Sequence, residues 1–220
     1  MRGFARLTRL LVTLALVFST CWPVLAQDKP KISYGMLLDS TGSMRTQFNT
    51  VIDVGKGVVH QTYEHGPVSI FNFASEGIGR ASKAVPVMRI ERSQDEAMLN
   101  RTIDNLYVEG GQTALLDAIQ FISDRLQQWA PDGDKIIIVV SDGEDRVSKV
   151  KSKELIQQLK DRKIKVFAVG LVRDLESGKR SKATDLLKTL AKETGGVAVI
   201  PESRNVDVQA VLTQLGLPTQ

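Results

Sequence analysis

Asp39, Thr41 and Ser43 alternate in the run Asp39-Ser40-Thr41-Gly42-Ser43, directly after the apolar stretch YGMLL. A second aspartate, Asp142, follows IIIVVS and precedes Gly143. Thr113 follows a glycine pair, Gly110-Gly111. Together these five side chains offer hard oxygen atoms, two of them charged, and no sulfur or ring nitrogen. That donor set suits Mg²⁺, Mn²⁺ or Ca²⁺, and it does not suit Zn²⁺ or copper. Hydroxyl ligands are neutral, so two carboxylates would carry all the charge compensation. A cation held partly through water would stay electrophilic toward an outside carboxylate.

Such a constellation works only if distant segments meet. Residues 31–38, 68–73, 84–90, 135–140, 165–169 and 197–200 read as strands, with Pro86 pointing to an edge position for the third. KIIIVV is the kind of continuous β-branched run found where both sheet faces are covered. Helices are expected from Phe48 to about Tyr63, over 95–105, over 152–161, over 183–194 ahead of Gly195-Gly196, and over 206–217. The most regular one carries the stripe Leu115, Ile119, Ile122, Leu126 and Trp129. Gly55 and Gly57 weaken the first helix and mark close packing on a sheet. The run RDLESGKRSK reads as a solvated charged loop. Alternating strands and helices imply one α/β unit, an open and mostly parallel sheet with helices on both faces. In such sheets, ligands lie at the carboxyl ends of the strands, near the point where strand order reverses. Asp39 and Asp142 both fall at strand ends of that kind.

The three pieces resemble the von Willebrand factor type A family. Its metal-ion-dependent adhesion site has Asp-x-Ser-x-Ser after the first strand, a threonine in a later loop and an aspartate after the fourth strand. Here the matching residues are Asp39, Thr41 and Ser43, then Thr113 in GGQTALLDAI, then Asp142 in VVSDGED. Thr41 stands where serine is commoner and supplies the same hydroxyl. The resemblance spans essentially all of 27–220, with its core over 31–217. It implies a Rossmann-like, doubly wound sheet of six strands in the order 3-2-1-4-5-6 with an antiparallel edge strand. It also implies a bound Mg²⁺ (or Mn²⁺ or Ca²⁺) that bridges to an Asp or Glu carboxylate of a partner protein. Some members couple the metal site to movement of the last helix, here 206–217.

Taken singly, each of these residues also suits a plainer role. Asp39, Ser40 or Ser43 could cap the following helix, and Thr113 the one after it. Ser40 is expected to hydrogen-bond within its own loop. Glu144 and Asp145 read first as a solvated loop or a helix cap, and alternatively as extra negative potential near the cation or a partner contact. Asp117, four residues past Thr113, is either an exposed helix position or a hydrogen-bonding support for the site loop. His60 and His65, the two histidines, are structural or surface residues away from this edge. GKGVVH lies inside a helical pattern, so it is no phosphate loop.

The N-terminus reads as a targeting signal. Arg2, Arg6 and Arg9 precede an apolar stretch over 10–18, and Val24-Leu25-Ala26 offers a cleavage site before Gln27. An exported protein, periplasmic or extracellular, is expected, with no stable membrane insertion after cleavage. The alternative is an uncleaved anchor, against which the shortness of 10–26 and Pro23 both argue. Thr20 is a poor residue before a lipidated cysteine, so a lipoprotein reading of Cys21 is weak. Without residues 1–26, Lys+Arg falls from 29 to 26 against 25 Asp+Glu, and net charge from +4 to about +1. The basic pI is therefore no argument for nucleic-acid binding. Cys21, the single cysteine, leaves with that segment, which excludes disulfides, thiolate metal sites and cysteine nucleophiles from the remainder.

Three functions compete. The first is a metal-dependent protein-binding module of the adhesion type, not an enzyme. The second is a metal-dependent phosphoryl-transfer enzyme with Asp39 as nucleophile. Haloacid-dehalogenase-like enzymes use Asp-x-Asp at such a position, whereas this chain has Thr41 there and no motif-placed phosphate-binding lysine. The third is a structural or assembly protein that binds without metal.

Overall fold

Runs of apolar residues here become strands covered on both sides. The computed structural model describes residues 32–77 and 82–218, and the targeting signal read over 1–26 lies outside them. Seven strands form one sheet: β1 (Ser33–Leu38), β2 (Val68–Glu76), β3 (Lys83–Ser93), β4 (Gln112–Thr113), β5 (Lys135–Ser141), β6 (Ile164–Gly170) and β7 (Ala198–Val199). Their order is β4-β3-β2-β1-β5-β6-β7. The β2–β3 pair is antiparallel and the other neighbours are parallel. Six helices connect them: α1 (Phe48–Thr62), α2 (Glu96–Asp104), α3 (Leu115–Trp129), α4 (Ser152–Asp161), α5 (Ser177–Thr194) and α6 (Val208–Leu215).

The period-two alternation of the strands sorts side chains between two cores. Met36, Leu38, Ile136, Ile138 and Val140 pack with α1, α2 and α6. Leu37, Ile137 and Val139 pack with α3, α4 and α5 on the opposite face. Fully burying an aliphatic side chain of this kind contributes about 1.5–3 kcal/mol, which is why KIIIVV must be covered twice. The stripe predicted on α3 is buried from Leu115 to Leu126, with Trp129 packed at its end. Gly35 lets α3 come close to the central strand: a Cβ there would lie 2.5 Å from Ile122 Cγ2. Gly55 does pack on the sheet, against Leu38, whereas Gly57 packs against Leu212 of α6.

Two expectations need correction. The sheet has seven strands and not six, because Gln112 and Thr113 pair with Lys83 and Ala84 outside β3. The six expected strands keep their expected order inside it. β4 reaches only those two residues, so Pro86, opposite Phe73 of β2, lies where β3 has no outer partner among the described residues. Secondly, much of RDLESGKRSK is not loop. α5 begins at Ser177, and Arg180 turns inward to donate to the carbonyls of Arg173 and Leu175.

Candidate metal centre

β1 and β5 lie side by side and parallel, from Ser33 opposite Lys135 to Leu38 opposite Val140. Strand order reverses between them, running from β1 to β2 and β3 on one side and from β5 to β6 and β7 on the other, and their carboxyl ends deliver Asp39 and Asp142 to one edge. β4 runs the opposite way but pairs with the first residues of β3, beside the end of β2, which brings Thr113 to the same edge. After Asp39 the chain makes a short 3-10 turn, Gly42–Met44, which folds Ser43 back toward the aspartate.

The predicted donors meet. Thr41 is the hub: its Oγ1 donates to Asp39 Oδ1 at 2.7 Å, lies 3.2 Å from Ser43 Oγ and accepts from Thr113 Oγ1 at 3.4 Å. The Thr41 N–H also donates to Asp39 Oδ1, at 2.9 Å. Asp142 lines a cavity of about 250 Å³ together with Ser43. Asp39, Thr41, Thr113 and Asp142 are buried, and Ser43 is half-buried at the mouth.

The plainer roles are not taken up. α1 has Gln47 at its N-cap and α3 has Ala114, neither with a side-chain cap, so none of Asp39, Ser40, Ser43 or Thr113 caps those helices. Ser40 does not bond within its loop. Its hydroxyl donates to the Phe73 carbonyl of β2 at 3.0 Å and accepts from Asn72 Nδ2 at 3.0 Å. Glu144 is buried and held by Arg146 and Lys179. Asp145 does not cap α4 but accepts from Ser148 Oγ at 2.5 Å and, at 3.4 Å, from the Leu116 N–H in the first turn of α3. Asp117 accepts backbone N–H groups from Lys149 at 2.9 Å and Val150 at 3.0 Å. The Arg146 N–H in turn donates to the Thr113 carbonyl at 2.9 Å, so the loop after β5 and the Thr113 segment are clamped together. His60 pairs with Glu96 on the surface, and neither histidine lines the cavity.

Three polar residues of the site escaped the sequence reading. Ser141 donates to Asp39 Oδ2 at 2.5 Å and accepts from the Gly143 N–H at 3.0 Å, joining the two aspartate loops. Asn72 ties Ser40 to Arg89, whose Nε donates to Asn72 Oδ1 at 2.6 Å. Gln47 donates to the Leu171 carbonyl at 3.0 Å and lines the cavity. A polar residue inside or ending an apolar run, as in VSIFNF and IIIVVS, was the available signal for Asn72 and Ser141.

Burial pushes the Asp39 carboxyl up to about 6, with the neighbouring Asp142 adding to the effect and the hydrogen bonds from Ser141 and Thr41 opposing it. Burial also raises Asp142, opposed by the N–H of Glu144, which Oδ1 accepts, and by the approach of the Ser43 hydroxyl. The sign for stability follows. An unfolded chain loses the Asp39 proton near the ordinary 3.8, and the folded chain keeps it to about 6. This contribution to stability is complete below the unfolded value and is lost as pH rises through about 6. Metal-free Asp39→Asn is therefore expected to gain about 1–3 kcal/mol on the wild type between pH 4 and pH 7.5, in urea melts with chelator. A difference that does not change with pH would refute this.

The residues present fit a divalent cation. Asp142 Oδ2 is buried with no hydrogen-bond partner, a costly arrangement for a carboxylate unless something positive meets it. Ser43 lines the same cavity, and the second buried carboxylate, Asp39, is near enough for the two charges to interact. Among the described residues, no group of three or more His, Cys, Asp or Glu is placed to hold a metal ion by itself.

With this geometry in place, the relationship to known proteins is clear. A family model described as the von Willebrand factor type A domain matches residues 35–214, and the chain belongs to that family. No curated protein matches the sequence significantly. Solved structures similar in fold include the conserved hypothetical protein BatB from Bacteroides thetaiotaomicron, with TM-score 0.62 at 15% identity, covering 84% of this chain and 97% of that one. The pilus adhesin SpaC from Lactobacillus rhamnosus GG has TM-score 0.63 at 13% identity, over 85% of this chain and 30% of that one. The manganese-loaded TRAP protein of Plasmodium vivax has TM-score 0.59 at 16% identity, over 84% of this chain and 72% of that one. Among the described residues, no helix is long and apolar enough to cross a membrane.

Proposed function

We propose that this is an exported protein-binding module in which Asp39, Thr41, Ser43, Thr113 and Asp142 hold Mg²⁺, or Mn²⁺ or Ca²⁺, to receive an Asp or Glu carboxylate of a partner protein. The carrying observation is the unpartnered, buried Oδ2 of Asp142, on a residue that lines an open cavity together with Ser43. When bound, the cation supplies a Lewis-acidic contact for the incoming carboxylate. Ser141 and the Thr41 N–H fix the Asp39 carboxylate, while Asp117 and Asp145 hold the loop that carries Asp142. Similarity to a manganese-loaded protein and to a pilus adhesin supports both the metal and the adhesion-type role. The leader over 1–26, and similarity to an aerotolerance-related membrane protein from Bacteroides fragilis, support an envelope or extracellular location.

We do not favour a phosphoryl-transfer enzyme. Both carboxylate oxygens of Asp39 already accept hydrogen bonds, which lowers their nucleophilicity. The deciding experiment is capture of a partner from envelope extract on immobilised protein, with Mg²⁺ or with EDTA. Capture in Mg²⁺ only, lost in Asp39→Ala, is expected. Equal capture in EDTA would favour metal-independent assembly. Phosphate-ester hydrolysis lost with Asp39 would favour the enzyme.

A further inference from the structure

The stretch RVSKVKSK, residues 146–153, carries four cations and no acid. It follows the Asp142 loop directly. Glu144 joins it to the head of α5, because its carboxylate holds both Arg146 and Lys179, the latter at 3.3 Å. Arg146 and Lys179 line the cavity that Asp142 and Ser43 also line. Acids near this face are engaged by other groups: Asp117 by the N–H groups of Lys149 and Val150, Asp145 by Ser148 and Leu116, and Asp174, exposed at the cavity, by Arg204 and Thr46. Glu176 is a second exposed acid at the cavity, with Glu154 and Asp185 further along α4 and α5. Lys149, Lys151, Lys153 and Lys182 are exposed, and none joins an ion pair among the described residues. Exposed lysines outside this stretch also lack ion pairs among the described residues, namely Lys83, Lys163, Lys165, Lys188 and Lys192; what sets 146–153 apart is four cations within eight residues next to the cavity loop, in a chain whose net charge without residues 1–26 is about +1.

We infer that this basic face receives an acidic segment of the partner protein, flanking the carboxylate that binds at the cation. The inference rests on the metal-dependent reading above and adds the partner's chemistry: a run of Asp and Glu, not an isolated one. Complementary charge of this kind raises the association rate and selects partners, and salt weakens it. An acidic protein segment fits better than a polyphosphate or a lipid surface. The face adjoins the cavity where, on the reading above, a partner carboxylate binds, so one protein segment can supply both contacts.

The test uses a labelled octaglutamate peptide with Mg²⁺, read by fluorescence anisotropy at 50 and 300 mM NaCl. The variants are Lys151→Glu/Lys153→Glu and Asp39→Ala. Both lysines are exposed at the start of α4, where a carboxylate suits the helix N-terminus, so the double variant is expected to fold. It should keep its Mg²⁺ affinity by calorimetry to within about twofold, bind the peptide about tenfold more weakly at 50 mM NaCl, and lose most of the salt dependence. Peptide affinity equal to wild type would overturn the basic face and leave the metal reading standing. Binding lost in the double variant but unchanged in EDTA and in Asp39→Ala would support the face and remove the metal reading. Tighter binding of phosphatidylglycerol vesicles or single-stranded DNA through the same lysines would overturn the assignment to an acidic protein.

Discussion

Asp39→Ala is expected to lower Mg²⁺ or Mn²⁺ affinity by at least about a hundredfold while leaving the fold intact, as measured by calorimetry and circular dichroism. Removing a residue that only supports a metal ligand typically costs 10–100-fold, and Asp39 is one of the two carboxylates that would balance the cation's charge. It also receives both bonds of Thr41 and the hydroxyl of Ser141, so its loss frees the hub of the donor set. The fold should survive because the cost of burying that carboxylate disappears with it: Asp39 is fully buried and its proton is held unusually tightly. Unchanged metal affinity in a folded Asp39→Ala would remove the metal centre from the account.

Gly111→Ala should damage both stability and metal binding, although position 111 offers no donor. Gly111 has φ +95°, and a Cβ there would lie 2.7 Å from the Lys83 carbonyl carbon and 2.8 Å from the Ala84 nitrogen. Those are backbone atoms of β3, at the residues that pair with Gln112 and Thr113. The methyl group cannot be accommodated by a rotamer change, so β4 must leave the sheet edge and take Thr113 with it. Backbone strain and overpacking each cost about 1–3 kcal/mol. We expect a loss of about 2–4 kcal/mol in urea denaturation, together with a weakened Mg²⁺ site. Gly110→Ala is the control, because its Cβ would meet only Ser75 Oγ at 3.7 Å. Similar losses in both variants would show that the clash with β3 is not the cause.

Legibility in the sequence followed the physics of each element. KIIIVV, YGMLL and VSIFNF declared themselves as strands because their pattern is imposed by burial on two faces, and the α3 stripe because one face is buried over four turns. β4 was illegible: two residues have no period, and their pairing depends on the backbone turn that Gly111 permits. The head of α5 was hidden for a different reason. Its first turns carry Lys179, Arg180 and Lys182, and the buried positions begin only at Ala183, so apolar periodicity starts late. At the site, residue types and spacings singled out Asp39, Thr41, Ser43 and Thr113, which the structure links through the Thr41 hydroxyl, and Asp142, which shares a cavity with Ser43. The connections among them could not be read, because Ser141 to Asp39 and Asp117 to Lys149 join positions far apart in the chain.

β1 hydrogen-bonds to β2 on one side and β5 on the other. The strand ending at Asp39 therefore completes its pairing only when residues about a hundred positions later arrive, a long-range closure that slows folding. Asp142, which follows β5, arrives with them. On the proposed reading, the residues that would hold the cation come together only in the folded chain, so metal would stabilise the finished molecule and not a partly made one, by RT ln(1 + [metal]/Kd). If the segment read as a leader exports the chain unfolded, that gain would come only after export.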